Sequence, residues 1–444
     1  MSASLLETAK AAIRLAKKHG AEEVAATGSR SRDAKTTFRD GAVEELSESS
    51  SRRLSLSIFA DGRFGTLSTS DLRPDALDRF VRDAVTMVKA ITPDPHRRLP
   101  DPALYEGRST ADLDLFDASL AELTPERRIA HAKEIEEAAR SHAGEKGRAR
   151  IVSISATFSH SEFESARVTS NGFEGGMRST RASHYGEVTV RDDDGRRPED
   201  WAYAAARHRA DLSTPEAVGR EAAERALGRI GATKLASGTM NVVFEPRAAA
   251  SMVEHLLGPL SGSALQQKRS FWRGQLGKQV GSRLLTIHDE PLLPRGLASR
   301  LYDGDGLTAK RRGLFEAGVL RSYLLDVYYA RKLGESPTTG GTSNVVVTPG
   351  TKSLDALLRD MKDGIVVTRF LGGETNGTTG AFSRGVAGFR VERGERTTPI
   401  GEMNLAGSHL DLWKRLVGVG NDPYLWSSTR VPSLSFKAVS VAGK

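Results

Sequence analysis

Apolar residues recur at helical spacing over 5–16 (Leu5, Ala9, Ala12, Ile13 and Ala16), which predicts an amphipathic helix ending at Gly20. Lys17 and Lys18 in its last turn suit the helix dipole. The pattern then shifts to short alternating runs at 36–39, 43–46, 54–59 and 64–67, which read as strands. Asp40-Gly41 and Asp61-Gly62 between them predict tight hairpins, because Gly accepts the positive φ such turns need. Helical spacing returns over 74–89, followed by a Pro-rich loop over 91–102. Thr124-Pro125 opens a third helix running to about Ser141. A meander over 150–205, with turns at Asn171-Gly172 and Asp194-Gly195, and a helix over 215–230 complete a first domain, 1–232.

The remainder, 233–444, reads as strand-rich with a few helices. A strand at 240–244 precedes the stretch 246–263, a buried helix entering a Gly-containing turn, where Met252, Val253, Leu256, Leu257 and Leu260 share one face. A hairpin over 314–323 turns at Ala317-Gly318, and 323–334 is an apolar cluster with tyrosines. The segments 271–277 and 286–294 read as irregular, and 344–348 as strand-like. Ser353 caps a short helix that Gly364 stops, a buried strand fills 365–370, and a strand pair is expected near 434–441. No period of 20–50 residues repeats. The fold class is therefore α+β: an N-terminal mixed domain of antiparallel hairpins and long helices, then a strand-rich domain.

Composition narrows the chemistry. The 444 residues contain no cysteine, which excludes disulfides, thiolate metal sites and a Cys nucleophile. The formal charge is +8, but the basic residues are dispersed among acidic ones and aromatics are only 6%. A solvated basic surface is expected rather than a nucleic-acid groove. No apolar run is long enough to span a bilayer, and the N-terminal pattern reads as a helix and not a signal peptide. The expected location is the cytoplasm.

The candidate chemistry centres on Glu254-His255. A Glu beside a His on a helix invites a zinc-hydrolase reading, in which two His ligands hold the metal and the Glu activates water. The register excludes it. If His255 were the second ligand of H-E-x-x-x-H, Ala250 and Ser251 would stand where the first His and the base belong. If it were the first, Leu256 and Leu260 would stand where the base and the second His belong. No two of the ten histidines lie at a short zinc spacing. Gly372 to Gly380, GGETNGTTG, lacks the order and the Lys of a phosphate loop. It reads as an inter-strand turn, or as bare backbone offered to a peptide, with Gly373, Asn376, Gly380, Ser383 and Arg384 as candidate peptide-channel residues. His288-Asp289-Glu290 reads as a polar surface turn, and no G-x-S-x-G elbow surrounds Ser261, Ser263 or Ser383. His409 falls in the first turn of a helix.

Longer segments carry a resemblance. LGPLSGSALQQKRSFWRGQLGKQVGSRLLTI (257–287), RGLASRLYDGDGLTAKRRGLFEAGVLRSYLLDVYYARKLG (295–334), LRDMKDGIVVTRFLGGETNGTTGAFSRGVAGFRVERGE (358–395), TPIGEMNLAGSHLDLW (398–413) and VGNDPY (419–424) resemble the TldD/PmbA family. FADGRFGTLSTSDL (59–72) and SNGFEGG (170–176) extend the likeness into the first half. In that family the TldD branch carries H-E-x-x-x-H on a helix and a Cys near the C-terminus as zinc ligands. The PmbA (TldE) branch pairs with it and lacks the metal site. Ala250, Ser251 and the absence of Cys place this sequence with the second branch, with His255 matching only the second His. The resemblance implies a barrel-like C-terminal domain and no cofactor in this chain. It further implies zinc in a TldD-like catalytic partner, and an unfolded peptide reaching that zinc in a shared cavity as an added strand. Where the family commonly has Ala-Gly-Asn, this chain has Ala406-Gly407-Ser408-His409. The alternatives are a stand-alone homodimer that binds peptides or regulates a nucleic-acid enzyme, and a hydrolase with an unrecognised site.

Overall fold

The computed structural model describes residues 3–443. In its first half, α1 (Ala3–Lys18) leads into β1 (Glu23–Arg39), β2 (Ala42–Ala60) and β3 (Arg63–Thr69), and α2 (Pro74–Lys89) follows. After the Pro-rich excursion come α3 (Pro125–His142), a short α4 (Gly144–Arg148), β4 (Ile151–Thr169), β5 (Glu174–Val190), β6 (Glu199–Ala206) and α5 (Pro215–Leu227). The six strands form one antiparallel sheet in the order β3-β2-β1-β4-β5-β6. One face is apolar and covered. Val24 and Ala26 meet α1 and α2, and Ile154, Ala156, Val188, Ala202 and Ala204 meet α3 and α5. The other face mixes hydroxyls with aromatic rings: Ser31 is bonded to Ser51 at 3.0 Å and Ser159 to Ser183 at 2.7 Å, beside Tyr185, Trp201 and Tyr203. Thr124 and Thr214 cap α3 and α5, and Pro125 and Pro215 stand at the first turn, where no N–H is needed.

The strands are much longer than the alternating runs predict. β1 and β2 span 17 and 19 residues and pair along their whole lengths. Ala42 to Arg53 on β2 is mostly exposed on both faces, although Ala34, Thr36 and Phe38 on β1 opposite it are buried. With both faces of that stretch of β2 wet, no apolar alternation is required there, so periodicity is silent.

The second half begins with β7 (Gly238–Phe244), α6 (Pro246–Leu257) and α7 (Gly262–Gln266). Next come β8 (Ile287–Asp289), β9 (Arg312–Glu316), β10 (Val319–Leu320), α8 (Val327–Leu333), β11 (Val345–Val347) and α9 (Leu354–Met361). β12 (Gly364–Thr375), β13 (Ala381–Glu392), β14 (Glu395–Ser408), α10 (His409–Leu412), β15 (Leu416–Val419), β16 (Thr429–Arg430) and β17 (Leu434–Ala442) complete the chain. The strands β14-β13-β12-β7-β17 close on themselves through β14–β17 pairing, which makes a five-stranded barrel with β15 added outside β17. The barrel-like domain is thus present. A second sheet runs β10-β9-β8-β11-β16. α6 buries Ala249, Met252, Val253 and Leu256 in a core that contains barrel residues such as Phe244, Val367 and Phe436 and second-sheet residues such as Ile287 and Phe315.

Three expectations are corrected. The strand pair near 434–441 is one strand, β17, whose partners β7, β14 and β15 are distant in sequence. The segment 286–294 contains β8. His288-Asp289-Glu290 is no surface turn: Asp289 is 2% exposed and accepts from the Ser343 backbone N–H at 2.5 Å and its hydroxyl at 2.6 Å. Burial raises its pKa against those bonds, so the triplet pins two chain segments together.

Candidate functional site

The site forms where the last turn of α6 meets the β12–β13 hairpin and the start of α10. Pro246 sets the first turn of α6, and the apolar face described above fixes its rotation. Ala250 is buried and offers no donor atom, while Ser251 is half-buried one position on. Glu254 is turned to the Thr429 hydroxyl on β16, and burial raises its pKa. Only His255 projects toward the hairpin.

The partners of His255 settle its protonation. Arg384 Nη1 lies 2.9 Å from Nε2, and Thr375 Oγ1 lies 3.2 Å from Nδ1. A guanidinium only donates, so Nε2 accepts and the ring proton sits on Nδ1, facing Thr375. Burial, and then the Arg384 charge, push the His255 pKa down to about 4, so the ring is neutral at pH 7. The guanidinium stacks over Phe370, 4.3 Å from its centroid. Burial lowers the pKa of Arg384, and its Nε is buried with no partner.

His409 stands behind this pair, its ring 5.7 Å from that of His255 and nearly perpendicular to it. Ser408 caps α10 by accepting from Leu410 N at 3.2 Å, and the His409 backbone N–H donates to Gly380 O at 2.8 Å. Phe271 stacks parallel to the imidazole at 5.9 Å, and Phe382 lies at 5.1 Å. The Trp413 indole donates to Nδ1 at 3.1 Å. An indole N–H cannot accept, so the ring proton of His409 is on Nε2, where it has no acceptor. His409 is fully buried, and that burial drives its pKa to about 3.

The hairpin distributes the five channel candidates unequally. Gly373 pairs with Arg384, and Thr375 with Phe382, so these four share the face toward α6. Ser383 pairs with Glu374 on the opposite face and is exposed. Asn376 closes the turn: its side-chain oxygen accepts from Thr378 N at 2.9 Å and Thr379 N at 3.0 Å. Gly373, at φ +107°, lies so close to β13 that a Cβ would stand 2.2 Å from Ser383 O. Gly380, at φ +77°, packs against Phe271, whose backbone N–H bonds Gly377 O at 3.0 Å. The Gly-rich stretch is therefore a fixed turn that locates Phe271 and His409. Sequence reasoning missed Thr375, Phe370, Phe271, Phe382 and Trp413. It also left His255 and His409 unconnected, 154 positions apart in number, because no local pattern marks their approach.

A zinc ion does not fit these residues. His255 Nε2, the lone pair a metal would take, accepts from a guanidinium, and a fixed cation there repels a second one. His409 has spent its only lone pair on Trp413. Among the described residues no group of three His, Asp or Glu could hold a metal.

Comparison with known proteins agrees with the fold. Three consecutive regions match the PmbA/TldA metallopeptidase domain 1 (residues 26–88), central domain (118–230) and C-terminal domain (237–443). The metalloprotease PmbA of Escherichia coli O157:H7 is 34% identical over 410 residues, covering 91% of this chain and 89% of its own. A solved structure from Bacteroides thetaiotaomicron, whose name ties it to modulation of DNA gyrase, is 36% identical with a TM-score of 0.95 over the full length of both chains. TldE from Thermococcus kodakarensis shares the fold, with a TM-score of 0.87 at 21% identity over 98% of this chain and all of its own. The chain belongs to the PmbA/TldD metallopeptidase family, in its PmbA/TldE branch.

Proposed function

We propose that this chain is the non-catalytic subunit of a two-component peptidase. It binds no zinc itself, pairs with a TldD-like subunit that carries the metal, and forms part of the cavity in which an unfolded peptide is cleaved. The observation that carries this reading is the contact of Arg384 with His255 Nε2, a guanidinium where a zinc-binding subunit needs an open lone pair. Ala250 and Ser251 support it, since neither supplies the ligand or the general base that hydrolysis requires. Gly373 and Arg384 face this cavity, and the turn at Asn376 and Gly380 shapes its rim. Among the described residues no helix is long and apolar enough to cross a membrane. The proposed place of action is the cytoplasm.

The test is metal content and peptidase activity of the purified chain, alone and mixed with a TldD-like protein bearing an intact H-E-x-x-x-H. The expected result is a zinc-free, inactive chain that the mixture nevertheless requires for hydrolysis. Chelator-sensitive hydrolysis by this chain alone would overturn the reading.

A further inference from the structure

We propose that Arg384, braced between His255 and Phe370, is a binding site for a peptide carboxylate. The inference begins with an imbalance. Most guanidiniums sunk into this protein either meet a carboxylate, as Arg225 and Arg369 do, or donate to backbone carbonyls, as Arg207 and Arg331 do. Arg384 does neither. Its polar contact is with an imidazole, its flat side rests on an aromatic ring, and its pKa is moved by burial alone, with no acidic neighbour contributing. The groups around it add no negative charge. Thr375 is a hydroxyl, His255 is a neutral ring, and His409 behind them presents an N–H without an acceptor.

This geometry is preorganised. His255 is held by α6 on one side and by Thr375 on the other, so it fixes one edge of the guanidinium. Phe370 backs its Cζ at 4.3 Å. Gly373, opposite Arg384 on the neighbouring strand, carries no side chain that could cover it. Arg384 remains partly open to solvent. A planar fork of N–H donors, already desolvated and oriented, matches a carboxylate better than it matches any neutral group. The partial burial strengthens such a contact by lowering the local dielectric.

The identity of the ligand as a peptide rests on the function proposed above; the carboxylate preference rests only on the site. Two sources supply that group, the C-terminus of a peptide and an Asp or Glu side chain. The experiment is fluorescence anisotropy of the full-length chain, without a partner, against fluorescein-labelled unstructured decapeptides of Gly, Ala and Ser. One pair differs only in a free or amidated C-terminus. A second pair, both amidated, carries one internal Asp or Asn. We expect one pair to show preference for the acid of about tenfold or more, the range of a charge-assisted contact. The pair that responds identifies the source. Arg384→Met abolishes the preference for the acid over its neutral counterpart, and Arg384→Lys retains part of it. No discrimination in either pair, no binding of any peptide, or a preference that survives in Arg384→Met overturns the proposal. Because the assay omits the partner and any hydrolysis, its failure leaves the subunit reading standing. A chain that prefers acids but does not support a TldD-like partner would overturn the subunit reading alone.

Discussion

The two ends of α6 handle positive charge in opposite ways. At its first turn, Glu245 is 5% exposed and accepts from Arg225 at 3.1 Å and from Arg396 at 2.9 Å, while Glu221 holds Arg225 at 2.8 Å. At its last turn, roughly 15 Å away at 1.5 Å per residue, Arg384 meets only His255 and Phe370. Burial opposes the charge of Arg225, but Glu245 and Glu221 outweigh it and raise its pKa; at Arg384 nothing offsets burial. The difference teaches where to look for function. A buried charge with its counter-ion inside the chain holds the domains together, here joining α5 to α6. A half-buried charge without one is arranged for something outside the chain.

Three measurements break or sharpen this contrast. Glu245→Gln removes the counter-ion that two arginines share and leaves Arg225 buried with half its neutralisation. Urea unfolding should show a loss of about 3–5 kcal/mol, the cost of breaking a buried pair. A loss below 1 kcal/mol, about that of an exposed pair, would erase the distinction.

A smaller effect is expected from acid. His409 has an ordinary value of 6.5 and is held at about 3 by burial, and His255 at about 4. Above pH 6.5 both are neutral in folded and unfolded chains, so their contribution is fully present. As pH falls from 6.5 toward 3, the unfolded chain takes up protons that the folded one refuses, and stability is lost over that window. For His409 the loss between pH 6.5 and pH 4.5 is on the order of 3 kcal/mol. The check is unfolding free energy between pH 7 and pH 4.5, where His409→Phe should flatten the slope. An unchanged slope would mean the ring is protonated in the fold.

The smallest effect separates the two ends most sharply. Arg384→Met should alter stability by less than about 1 kcal/mol, because an unpaired guanidinium contributes little and a methionine fills the same apolar contact with Phe370. Loss of several kcal/mol in the same urea assay would make Arg384 a structural residue like Arg225.

Much of the fold was legible, and particular residues show why. Several hairpin turns carried their own chemistry, as at Asp40-Gly41, Asp61-Gly62 and Ala317-Gly318, where φ is positive, while the equally positive-φ turn at Arg393-Gly394 between β13 and β14 went unread. Thr124-Pro125 and Ser353 marked helix starts at the observed caps. The absence of a zinc-protease pattern at Ala250 and Ser251 was legible because that chemistry has a fixed spacing on one helix. Strand lengths were not, since a strand wet on both faces, as β2 is over 42–53, has no period to read.

The sequence by itself determined most of the helices and several turns, the α+β class, the family, and the loss of the hydrolytic motif, because these are written in local patterns along the chain. Only the tertiary structure decided that β17 returns to close the barrel and that His255, Arg384 and His409 meet. It alone showed that Arg384 finds no acid where Arg225 finds two. Several of those contacts join segments far apart in sequence, His255 to Arg384 across 129 positions among them, and a residue's charge balance is set by whatever the fold brings within a few ångströms of it.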